Sequence, residues 1–243
     1  MTTAGAEPGH INIGKVLSDT GDILKKSFAT IWIIALIVFV PVAILGYFST
    51  DSWIIAAVYF IAAIIAQLYM TGTVVRVVQD VEADGRVDAS VGDLFGSITP
   101  KLFALLMLTI VTSVLVVIGF FFFIIPGLIL ALMWAVAVPV LVAEDLGVFA
   151  SMSRSSELTK GNRWRLIGLF IVIYVLVFII TLVVQLLAAI TPILGVIVGI
   201  LLAIVIFPYV AIIVAVLYYE LLEAHGESKP GPGVATSGGE MTA

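Results

Sequence analysis

Long apolar stretches separated by short polar ones dominate the hydrophobic pattern of this chain. A transmembrane helix needs about 20 mostly apolar residues to cross about 30 Å of hydrocarbon. The stretches near that length predict six transmembrane helices, at residues 29–49, 53–77, 102–123, 126–143, 166–190 and 193–219. Membrane β-strands would alternate polar and apolar residues, and these stretches do not. The pattern therefore predicts an all-α integral membrane protein.

The six predicted helices fall into three close pairs. The third and fourth are joined by GFFFFIIPG, residues 119–127, in which Pro126 suits the start of a helix. The fifth and sixth are joined by ITPILG, residues 190–195. Open strands and exposed loops cannot satisfy their backbone groups in lipid. Each pair is therefore predicted to form a helical hairpin.

A polar segment with a helical pattern precedes each hairpin. In residues 12–28, 90–100 and 145–161, apolar positions recur every three or four residues, which predicts amphipathic helices at the membrane interface. The predicted apolar face of the third segment consists of Leu146, Phe149, Met152 and Ser156. The chain is therefore interpreted as three parallel units, each with an interfacial helix, a break and a helical hairpin.

The ends of these short helices carry recognisable signals. Ser90 and Asp93 have the spacing of a capping box. Asp145 is predicted to cap the N-terminus of the third amphipathic helix, and Gly161 to end it in the left-handed conformation. Asn162 would then cap the fifth transmembrane helix.

Basic residues fall on one side of the predicted membrane helices. All 11 Lys and Arg residues lie in the N-terminal segment, in the connections that follow the second and fourth helices, or in the C-terminal tail, and the other side carries only Asp51. By the positive-inside rule, both termini are cytoplasmic. We expect a multi-pass protein of the cell (inner) membrane with one domain, residues 12–222, between disordered ends at 1–11 and 223–243.

Composition supports the membrane class and narrows the chemistry. The chain is 62% hydrophobic and 11% charged with a mean hydropathy of +1.27, whereas soluble domains have about 45–50% apolar and about 25% charged residues. The net charge is −5, and most of the acidic residues lie in the termini and in one loop, where they solvate those segments. We expect no nucleic-acid surface. Without cysteine, with isolated His10 and His225 and without a metal motif, we expect no metal and no cofactor.

The fourth-to-fifth connection holds the densest group of candidate site residues. A basic and aromatic cluster next to a transmembrane helix can contact anionic lipid head groups, although topological anchoring is the simpler interpretation. This cluster consists of Arg154, Lys160, Arg163, Trp164 and Arg165. The nearby carboxylates, Glu144, Asp145 and Glu157, could support acid–base chemistry, but they more simply cap a helix and pair with Arg154 or Lys160. No catalytic residue is predicted.

Two further groups lie within the predicted membrane helices. Gln67, Thr112 and Gln185 could line a polar path for a solute, although hydrogen bonds between helices are the simpler use. Gly195, Gly199 and Ala203 form a small-residue ridge suited to close helix contact in the bundle or in a dimer. Ionisable residues are confined to the helix ends, which argues against proton relays.

Three sequence stretches carry a family resemblance. VLSDTGDILKKSF, IPGLILALMWAVAVPVLVAED and SRSSELTKGNRWRLIG resemble the membrane domain of glycerophosphoryl diester phosphodiesterase and the related YciC-like six-span proteins of prokaryotes, over residues 12–222. The resemblance implies the six-span fold. It does not imply hydrolysis, because the phosphodiesterase barrel with its His and Glu metal-site residues is not in this sequence.

Together these features favour a non-catalytic membrane protein. We expect it to scaffold, regulate or lipid-dock a partner through its cytoplasmic interfacial helices. The alternative is a transporter or permease subunit for an apolar or lipid-like solute. The expected partners are membrane lipids, another membrane or cytoplasmic protein, or a second copy of the chain, and not nucleic acid.

Overall fold

The computed structural model describes residues 9–48 and 52–230, apart from the side chains of residues 47, 192–197 and 199–204. Within this part of the chain the regular structure is helical, without β-strands. The helices are α1 (Ile13–Phe48), α2 (Trp53–Asp84), α3 (Val91–Ile98), a 3-10 turn (Thr99–Lys101), α4 (Leu102–Phe122), α5 (Ile124–Met133), α6 (Ala137–Glu144), α7 (Val148–Thr159), α8 (Arg163–Ile190) and α9 (Pro192–Ala224). Six helical segments are long and apolar enough to cross a membrane, which confirms the predicted fold class.

Three helices are much longer than a membrane requires. Helices α1, α2 and α9 contain 36, 32 and 33 residues, or about 48 to 54 Å at the α-helical rise. All three pack against one another. Their excess length lies at the end that carries charge, where Lys15 of α1 meets Glu220 of α9. The three helices therefore form the frame on which the charged end of the protein is built.

The amphipathic segment before the first hairpin is not a separate helix, contrary to the prediction. Helix α1 runs without a break from Ile13 to Phe48. The other two units do contain breaks, at the 3-10 turn around Pro100 and at Gly161, whose φ is +88°. The difference follows from local chemistry, because proline removes a backbone donor and glycine accepts the left-handed conformation. The first unit has neither a proline nor a left-handed glycine between its amphipathic segment and its membrane segment.

The fourth predicted transmembrane helix is divided in two. Helix α5 ends at Met133 and α6 begins at Ala137. Pro139 lies in the first turn of α6 and has no N–H to donate to the carbonyl of Ala135, so the regular hydrogen-bond ladder is interrupted before it. The Ala137 N–H bonds to the Trp134 carbonyl instead of the Met133 carbonyl. The carbonyl oxygen of Met133 accepts a hydrogen bond of 2.8 Å from the Ser155 hydroxyl. Helix α7 thus provides the hydrogen-bond donor at the break.

Helix α7 packs with a face that overlaps the predicted one only in part, since Met152 is buried as predicted. Phe149 is 75% exposed, whereas the buried face consists of Ser151, Met152, Ser155, Leu158 and Thr159. Small hydroxyl side chains let α7 approach the break between α5 and α6 and bond its free carbonyl. Burial of the apolar Phe149 would have prevented that approach.

The caps of α7 and α8 also differ from prediction. Asp145 is the C-cap of α6, with a left-handed φ of +58°, and the N-cap of α7 is Gly147. The carboxylate of Asp145 instead pairs with Lys101. Asn162 is at the N-cap position of α8 but makes no capping hydrogen bond with its side chain. The Ser90–Asp93 capping box and the left-handed Gly161 are confirmed.

The buried core is concentrated on the second half of α9. In the 18-residue apolar stretch within residues 205–224, 67% of the residues are buried, compared with 11% in the corresponding stretch of α8. A helix that is apolar on all sides is covered either by other helices or by lipid, and the second half of α9 is covered by other helices. Its partners include α1, α2, α6 and α7. The residues at the charged end of α9 are therefore held in place by most of the bundle.

Candidate functional site

The charged end of the bundle is organised around Glu144, the last residue of α6. The Arg154 Nε lies 3.3 Å from both carboxylate oxygens of Glu144, and the Tyr218 hydroxyl donates to the same carboxylate at 2.8 Å. Arg154 also pairs with Glu227 through two further guanidinium nitrogens. The predicted pairing of Glu144 with Arg154 is confirmed. We call this group the Glu144 hub.

The electrostatics of the hub favour charged side chains. The hydrogen bond to Glu227 and the negative charge of Glu144 raise the pKa of Arg154 above its ordinary value, although partial burial of the guanidinium opposes the shift. Arg154 is therefore a permanent cation engaged with two carboxylates. These pairs engage three of its nitrogens inside the protein, and its contact with lipid head groups stays a prediction.

A second set of ion pairs fastens the C-terminal segment. Lys229 pairs with Glu82 of α2 at 2.6 Å, and its ammonium lies 6.0 Å from the centre of the Tyr219 ring. The Gln79 amide donates to the carbonyl of Pro230 at 3.2 Å. Residues 223–230, which were predicted to belong to a disordered tail, are instead held against α2. Residues 231–243 lie outside the described part of the chain.

The N-terminal segment is fastened in a similar way. The Asn162 side chain accepts a hydrogen bond from the Ile11 backbone N–H at 3.1 Å and donates to the Gly9 carbonyl at 3.2 Å. The Arg165 guanidinium donates to the Ile11 carbonyl at 2.7 Å. Residues 9–11 are thus ordered against α8, contrary to the prediction, and residues 1–8 are outside the description. These contacts occupy the Asn162 side chain, which explains why it makes no capping hydrogen bond to α8.

The predicted basic cluster therefore divides into two groups. Arg154 and Arg165 are engaged within the protein, whereas Lys160 and Trp164 are exposed, Trp164 by 86%. Arg163 is half-buried, and its Nε is buried without a hydrogen-bond partner in the described structure. Lys160, Arg163 and Trp164 remain the candidates for contact with a ligand.

The predicted polar path does not assemble among the described residues. The Gln67 amide is 3.4 Å from the Thr71 hydroxyl on its own helix, and the Thr112 hydroxyl donates to Leu108 one turn earlier. The Gln185 side chain is exposed on α8. No hydrogen bond given for these three residues connects them to one another. The predicted ridge of Gly195, Gly199 and Ala203 falls among the side chains that are not described.

The sequence did not indicate two buried polar positions on α2. The hydroxyl of Thr73 and the Nε of Arg76 are buried without a hydrogen-bond partner, one turn apart, and the Tyr219 hydroxyl on α9 shares this property. Arg76 donates to Gln79 at 2.7 Å, which connects it to the C-terminal fastening. Within the described residues, no group of three or more His, Cys, Asp and Glu side chains could hold a metal ion.

These features define a multi-pass α-helical membrane protein whose charged side chains are gathered and paired at one end. The model of the uncharacterised protein family UPF0259 matches residues 52–219, and the chain belongs to this family. It is similar to UPF0259 membrane proteins of Pectobacterium carotovorum, with 31% identity over 101 residues, and of Sodalis glossinidius, with 30% identity over 102 residues. Each alignment covers 42% of this chain and 40% of the relative. No solved structure matches the chain.

Proposed function

We propose that this protein is a non-catalytic scaffold or regulator that docks a partner protein, and membrane lipid, through its helices α3 and α7 on the cytoplasmic side of the cell (inner) membrane. The observation that carries the proposal is the use of charge at this end. The Glu144 hub, the two terminal fastenings and the Lys15–Glu220 ion pair join α1, α2, α6, α7, α8 and α9. Such a network supports a fixed platform, because paired charges hold helices in one arrangement.

The platform presents the outer face of α7. Phe149, Ser153 and Glu157 are exposed at four-residue intervals, opposite the face that packs on α5. Aromatic residues are enriched in the cores of protein interfaces and polar residues form the rim, so Phe149 with Ser153 and Glu157 beside it suits such a surface. The carboxylates and guanidinium of the hub serve each other as ion-pair partners, which supports a role in assembly over acid–base catalysis.

Photo-crosslinking tests this proposal directly. A photoreactive amino acid at Phe149 or Glu157 is expected to form an adduct with the same protein in cells, whereas the matched position Phe178, 68% exposed on α8, is expected to label lipid alone. That protein, once purified, should bind the full chain in nanodiscs and lose binding to the Phe149→Asp variant. Equal labelling from all three positions would contradict the proposal, and an adduct with a second copy of the chain would reassign the surface to self-association.

The proposed orientation leads to a second prediction. The chain has no cysteine, so single-cysteine variants report one position each. Ser153→Cys should be labelled by a membrane-impermeant maleimide only after the cytoplasmic side is opened, because the basic side of a membrane protein faces inward. Phe123→Cys, at the 73% exposed turn between α4 and α5, should be labelled in intact cells. Labelling of Ser153→Cys from outside would reverse the topology.

One observation favours the alternative function, a transporter or permease subunit for an apolar or lipid-like solute. A cavity of about 620 Å³ lies between α4, α5 and α8 and is lined almost entirely by apolar side chains. We also retain the relation to the glycerophosphoryl diester phosphodiesterase membrane domain and the YciC-like proteins as a hypothesis about the family, supported by the three sequence stretches that suggested it.

A further inference from the structure

We infer that the cavity between α4, α5 and α8 is a binding site for an anionic phospholipid, with an acyl chain in the cavity and the phosphate at Arg163. This inference rests on the lipid-docking part of the proposed function and is independent of the partner protein. The cavity volume of about 620 Å³ lies within the range of about 300 to 1,000 Å³ that is typical of small-molecule sites.

The cavity is chemically suited to a hydrocarbon chain. Val116 and Phe120 line it from α4, Leu128 and Leu132 from α5, and Phe170 from α8. Tyr174 is the lining side chain with a hydroxyl. A polar solute would lose hydrogen bonds to water here without replacement, which is unfavourable for each buried polar group. An apolar chain has no such cost.

The register of α8 places Arg163 on the cavity side of this helix. The lining residues Ile167, Phe170, Ile171 and Tyr174 follow one another every three or four residues, and Arg163 precedes Ile167 by one turn. Residues with this spacing share one face of a helix, and their side chains lean toward its N-terminus. The guanidinium therefore lies toward the charged end of the cavity, as a phosphate with its acyl chain inside the cavity requires.

The hydrogen-bonding state of Arg163 indicates an anion. Its Nε is buried without a partner, and the ion pairs of the described residues do not include it. Lys160 is exposed three residues earlier. The backbone N–H groups at the N-terminus of α8 add partial positive charge, and no side chain caps them. A buried donor is costly to leave unsatisfied, and a phosphate oxygen would satisfy it.

Arg165 provides a matched control on the same helix. Two residues from Arg163 along an α-helix, it faces a different direction, and its guanidinium donates to the carbonyl of Ile11. Arg163→Gln and Arg165→Gln remove the same charge from neighbouring positions. Only the first should affect a lipid in the cavity.

The test uses the full chain in nanodiscs and a phospholipid with a photoreactive acyl chain, either phosphatidylglycerol or phosphatidylcholine. Phosphatidylglycerol is expected to label residues of α4, α5 and α8 around the cavity more strongly than phosphatidylcholine does. Arg163→Gln should reduce this preference about fivefold, since a basic residue near an anionic surface contributes about 1 kcal/mol. Arg165→Gln should retain it.

A second variant keeps the test decisive if Arg163→Gln folds poorly. Ala131→Phe adds a ring to the cavity wall and should reduce labelling by both lipids, because the space for the chain is filled. An unchanged preference in Arg163→Gln, labelling spread evenly over all lipid-facing helices, or crosslinks from the cavity to another copy of the chain would each overturn the inference. If lipid labelling succeeds while the α7 crosslinks fail, the partner-docking proposal falls and the lipid site stands.

Discussion

Glu144→Ala is expected to lower the free energy of unfolding by about 3 kcal/mol, at the low end of the range for removing one partner of a buried ion pair. The low end applies because the Arg154 side chain remains 23% exposed. The variant removes the acceptor of the Tyr218 hydroxyl and one of the two carboxylates that hold Arg154. Urea unfolding in mixed micelles, followed by helical circular dichroism, measures the change.

Glu157→Ala is the control for this variant. Glu157 is a carboxylate on the exposed face of α7, and surface substitutions away from special features usually change stability by less than about 0.5 kcal/mol. The loss in Glu144→Ala should be accompanied by release of α7, detected as faster hydrogen exchange in residues 148–159. Equal stability of the two variants would show that the Glu144 hub contributes no net stabilisation.

Gly127→Ala is expected to destabilise the α4–α5 hairpin by about 2 to 3 kcal/mol, at the upper end for overpacking. A methyl group at Gly127 would lie 2.4 Å from the Phe120 ring and 2.6 Å from the Phe120 backbone nitrogen. A methyl group at Gly119 would approach the Gly127 Cα to 2.9 Å. The ring can rotate, but the backbone can move only if the helices separate. Unfolding in mixed micelles measures the loss.

Gly96→Ala is the matched comparison, since a Cβ at Gly96 of α3 meets no atom within 4 Å. Alanine is the better helix former by about 1 kcal/mol in a helix interior, so this variant should be as stable as the wild type or more stable. If Gly127→Ala were also neutral, the close approach of α4 and α5 would not be needed for the fold.

The Gly119–Gly127 contact shows one limit of sequence reasoning. Small residues four apart on one helix form a visible pattern, which is why Gly195, Gly199 and Ala203 attracted attention. Gly119 and Gly127 belong to different helices and meet across a turn. A turn separates them, so their spacing in the sequence does not predict that they meet, and the contact becomes evident only when both helices are placed.

The ends of the chain show a second limit. Residues 9–11 and 223–230 are polar or lie beside polar segments, and composition alone predicts disorder there. Their order comes from particular partners far away in the sequence, such as Asn162 for Ile11 and Glu82 for Lys229. Composition describes how a segment meets water, but it contains no information about a distant partner.

The same limit of sequence reasoning applies to the candidate site residues. The sequence alone determined that Lys160, Arg163, Trp164 and Arg165 stand at the beginning of a membrane helix, and that Glu144 could pair with Arg154. It did not distinguish Arg163, with a buried unpaired Nε, from Arg165, bonded to Ile11. The two side chains leave α8 in directions about 200° apart. What each side chain meets depends on where the N-terminal segment, α4 and α5 lie.

What the sequence by itself determined is the membrane class, the six apolar segments, and the breaks at Pro100 and Gly161, because the length of an apolar stretch and the chemistry of proline and glycine act locally. The tertiary structure alone decided that Ser155 bonds the carbonyl at the break before α6, that distant partners hold the two ends of the chain, and that a cavity opens between α4, α5 and α8. The physical reason is that hydrogen-bond partners, ion pairs and empty space depend on which helices meet, and lipid-facing and protein-facing apolar surfaces have the same composition.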